Sequence, residues 1–313
     1  MSQPKLIVHG GFHKTATSHI QSILARNTKM LERHGVRYLH HRDTRKRLTV
    51  PVQCNVYTAV GMDWDPKISD QDLSVMVREF FDEVLSEDAD RIVLSDENMA
   101  GHCGHCVKRG VLYRWRRKLI ETFAAQFPHP VSEVYLGIRN YADFFASAYV
   151  EYLRSVQGQW FIDEPIFRRN VLENMPSWHN ILKSVVTFFP DARVTVWKYE
   201  DFGQLDNQIL GLMCGPEVDV KKLKAPKDKN KRPTASGRAV AELLALIHSK
   251  GAEYALNERV ALQEKYPRGK EFGSYDPWTA QERAHLTRIY DRDVEDMRAN
   301  PGLHFLTTEG AGT

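Results

Sequence analysis

The chain has 313 residues, of which 42% are hydrophobic and 27% are charged. This composition is ordinary for a globular protein and excludes a mostly disordered chain, a collagen and a membrane bundle. The formal net charge is only +3, so nucleic acid is not an obvious partner.

Short β-branched runs alternate with amphipathic stretches along most of the chain. Strands are predicted at residues 5–9, 36–39, 91–95, 131–138 and 192–197, and helices at 15–32, 70–85, 113–127, 140–155 and just before Pro190. After residue 197 the strand signal stops. Helices are predicted at 236–262 and 279–298, and Thr279 with Glu282 makes a capping box for the second.

This alternation predicts an α/β fold, in which helices cover both faces of a parallel central sheet. We expect residues 1–313 to form one domain, with a helical C-terminal part, from about residue 236 to residue 313, packed on it. The longest apolar stretch, residues 239–247, contains Glu242 and is too short to span a bilayer.

The loop after the first predicted strand contains the residue types of an anion-binding site. Gly10 and Gly11 allow a tight turn, and they are followed by a lysine and by three hydroxyl residues that open the helix. Backbone N–H groups at a helix N-terminus, together with an ammonium and hydroxyl groups, cradle phosphate-like anions. The candidate residues are His13, Lys14, Thr15, Ala16, Thr17 and Ser18.

The loop departs from the Walker A pattern of ATPases and kinases, because His13 and not glycine precedes Lys14. It resembles the phosphosulfate-binding loop of the sulfotransferase superfamily. Those enzymes carry Pro or His, then Lys-[Ser/Thr/Ala]-Gly-Thr-[Thr/Ser], directly after the first strand. Here Ala16 replaces the glycine, and an alanine is strained if the position requires a positive φ.

The resemblance continues in a second strand–helix unit. Sulfotransferases bind the 3′-phosphate of the donor with an arginine at a strand end and a serine about two helical turns later. Arg139 ends the strand Tyr-Leu-Gly-Ile-Arg, and Ser147 lies eight residues on. The segments at residues 95–98, 196–202 and 286–293 also look like bacterial members of this superfamily.

The resemblance implies a P-loop NTPase-like sulfotransferase fold and sulfuryl transfer from 3′-phosphoadenosine 5′-phosphosulfate (PAPS), with no metal required. The acceptor is a hydroxyl or amine of a small molecule or a glycan. Lys14 would stabilise the departing oxygen. A nucleotide or small-molecule kinase that uses the same loop is the alternative function.

A base for the acceptor proton must come from another strand end. Glu97, in Ser-Asp-Glu-Asn after the third strand, is the first candidate and Asp96 the second. Other superfamily members carry the base soon after the first helix, which would point to His40, His41 or Asp43.

The sequence His-Cys-Gly-His-Cys at residues 102–106 has the spacing of a redox motif and the residue types of a zinc site. There is no second Cys/His pair nearby, and the motif lies about 100 residues into the chain. We therefore predict that it is a loop over the active-site mouth, and that Cys103 and Cys106 are dispensable for folding.

The location of the protein and the role of its basic segments are expectations only. The N-terminus lacks the apolar core of a signal peptide, and four cysteines do not make a disulfide framework, so we expect a cytoplasmic protein. Basic runs at residues 42–47, 108–118 and 221–232 either are solvated or surround an anionic ligand.

Overall fold

The computed structural model describes residues 3–226 and 234–308. Its six strands form a single sheet in the order β2-β3-β1-β4-β5-β6, and all neighbouring strands are parallel. The strands are β1 (Lys5–His9), β2 (Val36–Leu39), β3 (Arg91–Ser95), β4 (Val131–Ile138), β5 (Arg193–Lys198) and β6 (Leu303–Phe305).

Helices connect the strands and form most of the C-terminal part. The helices up to β4 are α1 (Thr17–Arg26), α2 (Thr28–Glu32), α3 (His41–Thr44), α4 (Val50–Ala59), α5 (Asp70–Leu85), α6 (Cys103–Arg109) and α7 (Arg116–Ala124). Those after β4 are α8 (Tyr141–Ser155), α9 (Glu164–Asn174), α10 (Trp178–Phe188), α11 (Phe202–Cys214), α12 (Gly237–Lys250), α13 (Ala252–Ala255), α14 (Arg259–Lys265) and α15 (Ala280–Arg298). A π-helical turn, Arg45–Thr49, joins α3 to α4.

Both faces of the sheet are covered by apolar side chains. In β1, Leu6 and Val8 point into the larger core, which contains residues of α5, α7 and α8. Ile7 points into a second core, with residues of α1 and α11. In a parallel sheet that helices cover on both sides, the strands are buried on both faces and are continuous apolar runs in the sequence. The two-sided burial of β1 therefore confirms the predicted α/β class.

The C-terminal part of the chain packs against α8 and against the turn that follows β5. The Trp278 indole donates a hydrogen bond of 2.9 Å to the Ala142 carbonyl, and Arg283 pairs with Asp143 at 2.9 Å. Tyr290 donates to Glu200 at 2.8 Å. None of the described helices is long and apolar enough to cross a membrane.

Several element boundaries differ from the predictions for local reasons. The predicted helix at 15–32 breaks at Asn27, whose side chain donates to the Ile23 carbonyl at 2.7 Å. The helix predicted from residue 113 begins at Arg116, because Tyr113 has a φ of 45°. No strand was predicted after residue 197, but the structure has a sixth strand, β6, which pairs with the open edge of β5.

The order of the strands determines where a ligand would bind. β1 lies between β3 and β4, so β2 and β3 lie on one side of it and the later strands β4, β5 and β6 lie on the other. In open α/β sheets, ligands bind beyond the carboxyl ends of the strands at such a reversal. The loop from Gly10 to Ala16 lies at this point.

Candidate functional site

The loop between β1 and α1 is folded by its own glycines and threonines. A Cβ on Gly11 would lie 2.7 Å from the Thr17 hydroxyl, so any larger residue there would force the Thr17 side chain to move. The Thr15 and Thr17 hydroxyls both donate to the buried Phe12 carbonyl, at 2.5 and 3.3 Å. The hydroxyl groups of Thr15 and Thr17, which were predicted to bind the ligand, therefore hold the conformation of the loop. Ser18 is exposed at the start of α1.

Two residues of the loop have left-handed backbones. Lys14 and Ala16 both have a φ of 67°, and Ala16 is the residue immediately before α1. A left-handed alanine is strained by about 1–2 kcal/mol relative to glycine, so the expected strain at Ala16 is present. No described side chain caps the N-terminus of α1. Its first-turn N–H groups are the kind of donors that bind anions.

The ammonium of Lys14 is held by a carboxylate that the sequence analysis did not identify. Lys14 Nζ lies 2.9 Å from Glu151 Oε2, and Arg154 Nη1 lies 2.9 Å from the same oxygen. Burial alone would raise the pKa of Glu151, but the two cations outweigh it and lower the pKa. Glu151 therefore balances the charge of Lys14.

Arg139 contacts the same loop from the end of β4. Its Nη1 donates to the Lys14 carbonyl at 3.0 Å, and its guanidinium lies 4.5 Å from the centre of the Tyr199 ring. Its Nε is buried and has no hydrogen-bond partner among the described residues. Arg139, Asp143, Tyr199 and Phe202 line a cavity of about 370 Å³.

Ser147 lies on α8 between two residues that contact the Lys14 and Arg139 surroundings. Glu151 is one turn further along α8 and reaches Lys14, and Asp143 is one turn back and lines the cavity with Arg139. Residues four apart on a helix share a face. Ser147 is partly buried but is not among the residues that line this cavity, so its pairing with Arg139 at a 3′-phosphate stays a prediction.

Glu97 lies at the end of β3 in a network of hydrogen bonds. Arg45 Nη2 donates to Glu97 Oε1 at 2.8 Å, and Gln21 Nε2 donates to Glu97 Oε2 at 3.2 Å. Burial would raise the pKa of Glu97, but His13, which is protonated in the acid range where Glu97 titrates, and the Arg45 charge outweigh it and hold the pKa at about 2. Glu97 is therefore ionised at neutral pH.

Asp96 is held by hydrogen bonds to Arg45 and Asn98 and has a structural role. Arg45 binds its Oδ1 through Nε and Nη2 at 3.1 and 2.7 Å, and Asn98 Nδ2 donates to the same oxygen at 2.8 Å. Its side chain is 3% exposed. Asp96 thus anchors Arg45, and Arg45 in turn holds Glu97.

The segment after β2 reaches this cluster because β2 pairs with β3. His40 and His41 are partly buried and their rings stack at 4.3 Å, whereas Asp43 is exposed. Burial and the neighbouring cations together lower the pKa of His41 to about 4, against the attraction of Glu97. Within this segment, Arg45 is the residue that contacts Glu97 directly. From the sequence, Arg45 was expected only as part of the basic run at residues 42–47.

His13 is bound to a buried tyrosine. The Tyr113 hydroxyl accepts a hydrogen bond from the His13 backbone N–H at 3.1 Å and lies 3.0 Å from Nδ1. Burial lowers the pKa of His13 to about 4, although the Glu97 carboxylate opposes this. His13 is thus a neutral group beside Glu97 at pH 7.

The His-Cys-Gly-His-Cys motif begins a helix, which corrects the prediction of a loop. His102 precedes α6, and its Nδ1 accepts a hydrogen bond from the Gly104 N–H at 3.1 Å. The Cys103 and Cys106 thiols are free and buried. Burial raises the pKa of Cys103 to about 12, against the attraction of Lys14. A protonated thiol is a poor nucleophile and a poor metal ligand.

The double variant Cys103→Ala/Cys106→Ala should remain folded. Both thiols are in the core, so we expect the free energy of unfolding to fall by about 1–3 kcal/mol, as for other core substitutions. Urea unfolding monitored by circular dichroism measures the loss. An unfolded double variant, or stoichiometric zinc in the purified wild type, would contradict a purely packing role.

Stability should fall in mild acid because of buried histidines. His9 is fully buried beside Ser95, and burial lowers its pKa to about 4 despite the nearby Glu97 charge. The unfolded chain therefore binds this proton first, so stability is lost as the pH falls from about 6.5 to 4. At 1.36 kcal/mol per pKa unit, His9 contributes about 3 kcal/mol. Urea unfolding at pH 7.5 and 4.5 measures this, and an equally steep loss in His9→Gln would refute it.

One further group of possible metal ligands occurs among the described residues. Ligand atoms of His179, Asp293 and Asp296 all lie within 4.8 Å of one another. Asp293, however, accepts hydrogen bonds from Tyr141, Ser177 and the His179 N–H at 2.5–2.9 Å. These bonds tie α15 to the start of α10, so Asp293 has a structural role.

No family model matches the chain, and no curated protein matches it. A solved structure, a sulfotransferase from Alicyclobacillus acidocaldarius, is similar over 87% of this chain and 98% of its own, with 10% identity and a TM-score of 0.38. Any assignment of function therefore depends on the residues of the site itself.

Proposed function

We propose that this protein is a sulfotransferase that moves a sulfuryl group from PAPS to a hydroxyl or amine of a small molecule or glycan. The observation that carries the proposal is the contact between Arg139 and the Lys14 turn. It joins an ammonium at the end of β1 to a guanidinium at the end of β4. A donor with a phosphosulfate and a separate 3′-phosphate needs two such cationic points.

In the proposed reaction, the acceptor oxygen or nitrogen forms a bond to sulfur while the bridging S–O bond breaks. Negative charge develops on the bridging oxygen, which Lys14 stabilises, and the N–H groups at the start of α1 bind the 5′-phosphate. Glu97 receives the proton of the acceptor. Arg45 and Gln21 fix its orientation. The low pKa of Glu97 makes it a weak base, so it takes the proton only once bond formation to sulfur has made the acceptor strongly acidic.

The alternative, a kinase, needs a carboxylate that is free to bind Mg²⁺ beside the loop. Asp96 and Glu97 are at the suitable strand end, but both are bound to the Arg45 guanidinium. An arginine between them repels a divalent cation. This arrangement favours sulfuryl transfer, for which the proposal requires no metal.

Thermal unfolding with PAPS, adenosine 3′,5′-bisphosphate and ATP with Mg²⁺ tests the proposal. A ligand at 100 times its Kd stabilises the folded protein by about 2.7 kcal/mol. We expect PAPS and the bisphosphate to raise the Tm more than ATP does at equal concentration. A larger shift with ATP and Mg²⁺ would favour the kinase.

Arg139→Ala should weaken PAPS by about 10- to 150-fold, since a hydrogen bond to a charged group is worth about 1.5–3 kcal/mol. Adenosine 5′-phosphosulfate lacks the 3′-phosphate, so the affinity of Arg139→Ala for this ligand should fall much less. Calorimetric titration of both ligands gives the comparison. Because Arg139 also holds the Lys14 carbonyl, Arg139→Lys serves as the matched variant that keeps a cation. Equal losses for the two ligands would show that Arg139 does not bind the 3′-phosphate.

A further inference from the structure

A chain of buried polar side chains reaches Glu97 from β1. Gln21 Nε2 donates to Glu97 Oε2 at 3.2 Å and lies 3.2 Å from Ser95 Oγ. Ser95 Oγ lies 2.9 Å from Nδ1 of His9. His9 and Ser95 are fully buried, and Gln21 is 3% exposed. The reaction described above uses neither His9 nor Ser95, although both are linked to the base by hydrogen bonds.

The carboxylate at one end of the chain sets the direction of these hydrogen bonds. Ionised Glu97 only accepts, so Gln21 must direct its NH2 group toward it, and the second N–H of that group points to Ser95 Oγ. The Ser95 hydroxyl then donates to His9 Nδ1, because no other described group accepts its proton. His9 therefore carries its own proton on Nε2.

The other tautomer of His9 would leave more buried groups without partners. With the proton on Nδ1, both the Ser95 O–H and the Nε2 lone pair would lack a partner among the described residues. With the proton on Nε2, only that N–H is unpaired. Nε2 also lies 3.2 Å from the position that a Cβ on Gly11 would take, so the ring packs directly against the loop that contains Lys14.

We propose that His9 is a positioning residue, which holds the Glu97 carboxylate in the orientation that receives the acceptor proton. It acts through the hydrogen bonds of Ser95 and Gln21. This inference rests on the proposed function, in which Glu97 is the base. Without an acceptor at residue 9, the Ser95 hydroxyl would donate to the amide oxygen of Gln21 instead. The amide would then turn its NH2 group away from Glu97, which only Arg45 would still hold.

Two substitutions at residue 9 separate this role from packing. His9→Asn keeps an acceptor, because its side-chain oxygen is as far along the side chain as Nδ1. His9→Phe keeps a ring that can stack on Trp197 but has no acceptor. Single-turnover release of adenosine 3′,5′-bisphosphate from PAPS should be about 10- to 100-fold slower in His9→Phe, as when a reacting group is misplaced by about 1 Å. His9→Asn should recover most of this loss, whereas a packing role would give the opposite order.

Nuclear magnetic resonance of the free protein tests the chain without relying on the reaction. The nitrogen chemical shifts of His9 at neutral pH should show the proton on Nε2. The carboxyl carbon signal of Glu97 should move in His9→Phe and in Ser95→Ala, but should stay near its wild-type position in His9→Asn. Ser184→Ala is the matched control and should leave signal and rate unchanged, because it removes a buried hydroxyl of α10 that donates to Asn180 within its own helix.

A proton on Nδ1 of His9, an unmoved Glu97 signal in His9→Phe and Ser95→Ala, or equal losses of rate in His9→Phe and His9→Asn would overturn the proposal. Should the variants at residue 9 fail to fold, Ser95→Ala decides alone: a moved signal with a slower rate supports the positioning role, and wild-type values exclude it.

Titration with adenosine 3′,5′-bisphosphate separates failure of this inference from failure of the proposed function. The Kd should be the same in the wild type, His9→Phe and His9→Asn. If the signals respond and the bisphosphate binds but the rate does not change, His9 orients a residue that is not the base, and the positioning role fails while the donor site stands. If the bisphosphate does not bind even the wild type, the proposed function fails and the positioning role falls with it, even where the Glu97 signal confirms the chain of hydrogen bonds.

Discussion

The Lys14→Ala variant is expected to fold normally and to transfer sulfuryl groups about 10²–10³ times more slowly than the wild type, as when one group that stabilises a developing charge is removed. The fold should survive because Arg154 still neutralises Glu151 when the ammonium is removed. Circular dichroism establishes folding, and single-turnover release of adenosine 3′,5′-bisphosphate from PAPS gives the rate. Near-normal turnover in a folded variant would exclude the role assigned to Lys14.

Two matched variants separate the charge of Lys14 from its position. Lys14→Arg keeps the cation but moves the donors, so we expect only partial recovery of the rate. Glu151→Gln keeps the shape of the carboxylate but releases the ammonium from its ion pair. This variant should bind adenosine 3′,5′-bisphosphate at least as tightly as the wild type.

Glu97→Gln should bind the donor normally and react about 10² or more times slower, which is the usual effect of removing a general base. Glutamine keeps the size of the side chain and can still bond to Arg45 or Gln21, but it cannot take a proton. Donor titration and single-turnover transfer measure the two effects separately. If Glu97→Gln stays active while a substitution at His40, His41 or Asp43 abolishes turnover, the base lies after β2.

The pH profile provides a second test of Glu97. Because its pKa is held at about 2, protonation of Glu97 should not reduce the rate in the range near pH 4.5 where an ordinary glutamate titrates. Arg45→Gln removes one of the charges that lower this pKa, so the acid limb of the profile should move to higher pH. An unchanged profile in Arg45→Gln would contradict a catalytic role for Glu97.

Local sequence patterns were sufficient for most of the sheet. The strand at residues 5–9 could be predicted because four consecutive residues are buried on both faces. The capping box at Thr279 and Glu282 is present as predicted. β6 could not be predicted, because three residues with a central His304 carry little signal and the strand depends on pairing with β5.

The candidate site was predictable only where its residues adjoin strand ends. Lys14, Glu97 and Arg139 follow β1, β3 and β4, and the topology brings those ends together. Glu151 and Arg45 were missed because they lie within helical segments, and their partners are 137 and 51 residues away in the chain. Only the packing of α8 and of the π-helical turn shows that they belong to the site.

The left-handed alanine before α1 affects the stability of the loop. A glycine at residue 16 would relieve the backbone, because alanine disfavours a positive φ. The methyl group of Ala16 therefore opposes the conformation that the loop adopts, whereas the Thr15 and Thr17 bonds to Phe12 favour it. The folded protein thus holds the loop in this conformation at a cost in stability of about 1–2 kcal/mol.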